Sequence, residues 1–205
     1  MSSAQRELIV EFVIAQMIRT NERRINLMEV FNHLFTEENI NLSHEDYKEF
    51  VEYFRNRGIK IAHSQMIDKI QNYASIISHY HMHLWINNTK IPLKTSDNPI
   101  LTFNRLKGKN GKVYGIANDD IEIYIPLNSK TMLTICNPKT HNLDPSVRFL
   151  TEEGVIDRNK QQTRDSTRQI YSPINDFTIE KDYLEKFPKF RDVKRVRRPG
   201  LKIKS

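Results

Sequence analysis

A chain of 205 residues with 38% hydrophobic and 28% charged residues can enclose one core, or two tightly packed subdomains, and its composition excludes disordered and fibrous classes. No window reaches the roughly 18 uninterrupted apolar residues of a membrane span, and the opening MSSAQRELIVEF lacks the layout of a secretory leader, so a cytoplasmic protein with no membrane contact is expected. The net charge of +7 is confined to one end: residues 181–205 carry ten Lys and Arg against three acids, while residues 1–180 hold 22 of each sign.

In chain order, Leu8, Ile9, Phe12, Val13, Met17 and Ile18 recur at helical spacing and predict an amphipathic helix from Ala4 to Arg19. After the interruption TNERRIN, a shorter helix is expected from Leu27 to Phe35. Ser43, with Asp46 three residues on, has the pattern of an N-cap for a helix from His44 to about Arg57, with Gly58 as its stop. Ile61 to Ser78 reads as a fourth helix.

The hydrophobic period then changes. HLWINN and IPLKTS flank the turn-forming run Asn87 to Lys90 and predict one hairpin; IEIYIPL and KTMLTICNP, joined by Asn128 and Ser129, predict a second. Between them, NRLKGKNGKVYGIANDD suits a long exposed loop. Thr151 to Arg168 and IEKDYLEKF read as closing helices, and beyond Pro188 the chain has little to bury and is expected to be mobile. The expectation is an α+β fold: an N-terminal helical bundle over residues 1–82, packed on an antiparallel sheet of two hairpins with closing helices over 83–188, then a basic tail over 189–205. Cys136, in a strand-like run, reads as a small buried apolar residue.

Four separated segments resemble one family, the domain of unknown function 4238. They are LIVEFVIAQMIRT, LWINNTKIPLKTSDNPI, IYIPLNSKTMLTI and RNKQQTRDSTRQIYSP, in the family's order and spanning about residues 5 to 178. Full-length members of that family begin with paired histidines and a Val-Pro, and nothing similar precedes Gln5. The chain is therefore expected to be a naturally short member, a product of truncation, or a fragment whose N-terminal part lies on another polypeptide. If those histidines belong to the family's site, this chain alone holds an incomplete one. The resemblance also implies a site near the TSDNP turn, drawing on Gln16, Arg19, Asn159 and Arg168, without supplying a reaction.

Asp97, Ser96 and Asn98 sit in that turn, whose shape Pro99 and the Asx-type residues specify. They suit either a structural turn or a catalytic loop in which Asp97 is a metal ligand, base or hydrogen-bond acceptor. Arg19 and Arg168 would then clamp a phosphate or carboxylate, or hold Asp97 in a buried pair. His79, His81 and His83 would share one strand face and could ligate a divalent metal, unless the preceding helix continues through them. Lys194, Arg195, Arg197 and Arg198 offer sequence-independent attachment to nucleic acid but, lacking interleaved aromatics, no stacking platform. No Gly-rich phosphate loop, His-Glu-x-x-His or Gly-x-Ser-x-Gly occurs. Two functions are expected from this: binding or processing of nucleic acid or another phosphate-bearing ligand, as a metal-assisted hydrolase or nuclease if an enzyme; or an interaction module pairing with a protein partner through an apolar strip at Leu8, Phe12 and Ile18.

Overall fold

The computed structural model describes residues 2–34, 43–104, 116, 121–139 and 147–192. Helix α1 is Ser3–Ile18, opened by a capping box: Gln5 N–H donates to Ser2 Oγ (3.2 Å) and Ser2 N–H to Gln5 Oε1 (2.9 Å). The interruption expected after it shrinks to Arg19 and Thr20, because Thr20 Oγ accepts from Arg23 N–H (3.4 Å) and α2 starts at once, Asn21–Leu34.

Helix α3 is His44–Tyr53, capped by Ser43 as its sequence implies, but it does not stop at Gly58. It passes through a π-turn, Phe54–Gly58, into α4, Ile59–Ile67. Gly58 has helical backbone angles; its role is close approach, since a Cβ there would lie 2.5 Å from Phe54 Cδ2, whose ring stacks on Phe31 at 3.6 Å between centroids. The long fourth helix is broken at Asp68 and Lys69, and α5 is Ile70–Ile77. No helix among the described residues is long and apolar enough to cross a membrane.

The main sheet has the order β3-β4-β5-β1-β6, with β1 His81–Ile86, β3 Leu101–Asn104, β4 Ile121–Asn128, β5 Thr131–Cys136 and β6 Val147–Phe149. The β4–β5 hairpin forms as the alternation requires, with an irregularity between Pro126 and Asn128. The first expected hairpin does not form. β1 pairs instead with β5, His81 opposite Cys136, and in parallel with β6, so the sheet is mixed rather than antiparallel.

Asn87 explains the departure. Its amide donates to the carbonyls of Ile91 (2.7 Å) and Ser129 (3.1 Å) and its oxygen accepts from Thr89, which turns the chain out of the sheet. The stretch that follows gives Lys94 N–H to a helix side chain, and pairs β2, Thr95–Ser96, with β7, Ile170–Tyr171. The helix is α6, Glu152–Asp165, and α7 is Thr178–Lys186, followed by a 3-10 turn, Pro188–Arg191. Residues 189–192, expected to be mobile, are thus ordered; residues 193–205 and the loop expected between the hairpins, Ile116 apart, lie outside the described residues.

Packing makes three layers. On one face of the sheet, Val10, Val13, Ile14 and Ile18 of α1 with Ala74 and Ile77 of α5 bury against Ile121, Ile123, Ile125, Leu133 and Ile135. On the other, Val155 of α6 buries against Leu101, Tyr124 and Met132. Arg6, polar by pattern, donates from Nε to Ser78 O (2.5 Å) and from Nη2 to Tyr80 O, tying α1 to the end of α5. The apolar contacts of α1 and α5 with the sheet join residues on both sides of position 82 in one core cluster.

Candidate functional site

The TSDNP turn is a clasp between the chain after β1 and helix α6. Asp97 Oδ1 accepts Thr167 N–H and Oδ2 accepts Arg168 N–H, both at 2.9 Å, while Asp97 N–H donates to Gln169 O at 3.1 Å. Ser96 Oγ is 2.7 Å from Gln162 Oε1 and 2.9 Å from Asn98 O, and accepts Asn98 N–H at 3.1 Å. Asn98 donates to Asp165 O (3.2 Å) and Gln162 to Pro99 O (3.0 Å). Asn159 accepts Lys94 N–H (2.9 Å) and donates to Pro92 O (3.0 Å). The side chains of Asn159 and Gln162 lie one turn apart on α6, so one helix face satisfies the backbone of residues 92–99. Ser96, Asn98, Asn159 and Gln162 are all buried, and each of these partners is a protein group. The residues expected to act on a ligand thus brace the scaffold.

The arginine clamp does not assemble. Arg19 Nε donates to its neighbour Gln16 Oε1 at 2.6 Å on exposed α1, whose core face lies across the sheet from α6. Arg168 contributes its backbone N–H to Asp97, and its side chain is exposed. Of the three histidines, His79 precedes β1 and meets Tyr80 edge-on at 4.9 Å; His81 and His83 share a strand face, their rings 6.0 Å apart. Among the described residues no group of three or more His, Cys, Asp and Glu side chains is placed to hold a metal ion. The four basic residues of the tail, Lys194 to Arg198, lie outside the described residues.

A different constellation lies on the α6 face of the sheet. Strand alternation puts Ile121, Ile123 and Ile125 on the α1 face, and therefore Glu122 and Tyr124 on the other. Register sets two cross-strand rows there: Phe103, Glu122, Cys136 and His81; then Leu101, Tyr124, Thr134 and His83. Glu122, Tyr124, Thr134, Cys136 and His83 are buried. The Tyr124 hydroxyl donates to Glu122 Oε2. From α6, the Arg158 guanidinium lies 4.1 Å over the Tyr124 ring and 5.2 Å from that of Phe103.

Three buried donors on this face, Trp85 Nε1, Thr134 Oγ1 and Arg158 Nε, have no hydrogen-bond partner among the described residues. A few such groups per hundred residues is ordinary; three on one face of one sheet mark a place where a polar ligand atom or water would be satisfied. Beside them Arg164 is held further toward its charged form by hydrogen bonding to Asp165, and burial raises the Tyr183 phenol. The signal for this site was present in IEIYI: a carboxylate in the middle of a strand otherwise built of β-branched and aromatic residues has to be paired or used. What the sequence did not show is that Arg158 lies over the neighbouring Tyr124 ring and that His81 and His83 fall in the same two rows.

A model of the family described as "Protein of unknown function (DUF4238)" matches residues 1–176. No curated protein and no solved structure matches the chain.

Proposed function

The chain belongs to the family of proteins of unknown function DUF4238, and on that premise we propose that it binds nucleic acid, seating a phosphate group over the α6 face of its sheet. The observation that carries the reading is the set of buried, unpartnered donors on this face: Arg158 Nε, whose guanidinium lies over Tyr124, Thr134 Oγ1 on the residue opposite Tyr124, and Trp85 Nε1 one row further along β1. Donors of this kind, one of them a guanidinium, favour an acceptor-rich anion. The class of anion follows from charge: a neutral body of 180 residues followed by 25 residues carrying +7 attracts a polyanion to one end. Glu122, which accepts a hydrogen bond from the Tyr124 hydroxyl, and His83, across Thr134 from Tyr124, are titratable groups of these two rows, which extends the reading to hydrolysis of the bound phosphodiester.

The test is fluorescence anisotropy with labelled oligonucleotides across a KCl series, followed by gels of the same samples with and without added divalent metal. Expected is salt-sensitive binding that weakens at least about tenfold in Arg158→Gln. Thr134→Val, equal in volume, should weaken binding without lowering the melting temperature, because the hydroxyl it removes has no protein partner among the described residues. Cleavage lost in Glu122→Gln would make the protein a nuclease. Absence of binding at low salt would sink the reading.

A second reading rests on α1. Leu8 and Phe12, four residues apart, are 66% and 51% exposed, whereas Ile18, expected in the same strip, is buried in the core at 4%. Such a pair suits a protein partner, and Phe12→Glu would then abolish a mass shift in sedimentation that the wild-type chain shows with that partner.

A further inference from the structure

The sequence of the tail offered phosphate attraction without a surface for bases, and the segment just before it supplies one. Tyr183 and Phe187 are four residues apart on α7 and so share a side of the helix. Phe187 N–H closes the last helical turn on Tyr183 O (3.0 Å), Pro188 starts a 3-10 turn, and Phe190 N–H bonds Phe187 O (3.1 Å). That reversal brings Phe190 back to the same side. The Tyr183 and Phe190 rings lie nearly parallel, 13° apart with centroids at 5.7 Å; Phe187 is 5.0 Å from Tyr183 and 6.3 Å from Phe190.

None of the three belongs to either core cluster, and Phe187 is 37% exposed. Tyr183 and Phe190 are half-buried, and Phe187 is the ring of the group that reaches the surface. Cations surround the group: Lys186 Nζ is 5.8 Å from the Phe187 centroid, Lys189 Nζ is 5.2 Å from that of Phe190, and Arg191 is exposed beside them. This is the pairing of flat apolar faces with positive charge that single-stranded nucleic acid uses, bases on rings and phosphates on lysines. A duplex keeps its bases stacked on each other and offers the rings nothing. The platform begins at residue 183, past the residues 1–176 that the family model matches.

We infer that Tyr183, Phe187 and Phe190, with Lys186, Lys189 and Arg191, form a stacking platform for single-stranded nucleic acid. The inference rests on the nucleic-acid reading above and narrows it to unpaired strands.

The experiment compares three labelled polymers of one length against the full chain: an oligothymidylate, an abasic strand of the same charge, and a duplex. Expected is tightest binding to the oligothymidylate, with Phe187→Ala reducing it by about 5- to 150-fold and leaving the abasic strand and duplex unchanged. Phe187→Trp should restore affinity, with its fluorescence quenched on binding, and circular dichroism should show both variants folded as the wild type. Equal affinity for oligothymidylate and abasic strand, or no effect of Phe187→Ala, overturns the platform and leaves phosphate binding standing. Failure to bind any of the three overturns both.

Discussion

Asp97 shows how much backbone one carboxylate in a turn can hold in place. Both of its oxygens are occupied by backbone N–H groups at 2.9 Å, one from each of the two residues that end the α6 connection. Asp97→Asn replaces one acceptor by an amide that faces a donor. The cost expected is about 1–3 kcal/mol of stability, read from urea unfolding. A catalytic Asp97 would give the opposite pattern, unchanged stability with lost activity. Glu122 makes the complementary case: buried in mid-strand, its carboxylate accepts a hydrogen bond from the Tyr124 phenol.

At the scale of elements, α7 is fastened through two different devices. Lys94 Nζ, buried, donates to Glu180 Oε2 and to Asp176 O, each at 2.5 Å, and lies 4.9 Å from the Phe177 centroid. Both side chains of the ion pair are only 3% exposed, so removing one partner strands the other charge away from water. Lys94→Met should cost about 3–5 kcal/mol, and Lys94→Met with Glu180→Leu should recover most of it; equal losses in single and double variants would show that the pair is not the fastening.

The second device is acidic. Asp176 Oδ1 accepts Thr178 N–H at 3.0 Å, and that hydrogen bond, first among the causes, holds the carboxyl below its ordinary value of 3.8. A lowered folded-state value means that the stabilisation is complete above 3.8 and is lost as pH falls below it. The protection factor of amides at the start of α7, the intrinsic exchange rate at each pH divided by the observed rate, should therefore fall below that pH in the wild type. In Asp176→Ala it should already be low at neutral pH and change little on acidification.

Across the whole molecule, charge and core are separated. The apolar core joins α1 and α5 to the sheet, whereas the basic excess is all carried after residue 180. A chain ending at Asp192 loses Lys194, Arg195, Arg197, Arg198, Lys202 and Lys204, six cations, and keeps the described structure. Its melting temperature should not move. The slope of log affinity for an oligonucleotide against log salt should become shallower by up to about 4, at about 0.7 per phosphate contact on a single strand. An unchanged slope would mean that the tail does not touch the polymer.

Local physics was legible where neighbours in sequence are also neighbours in space. Ser43 and Thr151 cap helices from their own first turns, Ile121 to Leu127 alternates because a strand must, and the β4–β5 turn is short enough to fix its own register. The helical start, the α+β class, the family resemblance and the position of the basic charge all follow from such patterns. Tertiary structure decided the rest. Asn87 could turn the chain into a hairpin or out of the sheet, and only the carbonyl of Ser129, 42 residues away, settles which. Asp97 could serve a ligand or the backbone, and the choice rests on Thr167 and Arg168, some 70 residues on. A hydrogen bond or a cation over a ring costs the sequence nothing to leave unstated, because its partner is chosen by which strand lies next to which. For that reason the buried row beneath Arg158, and the aromatic face before the tail, become visible only once the chain is folded.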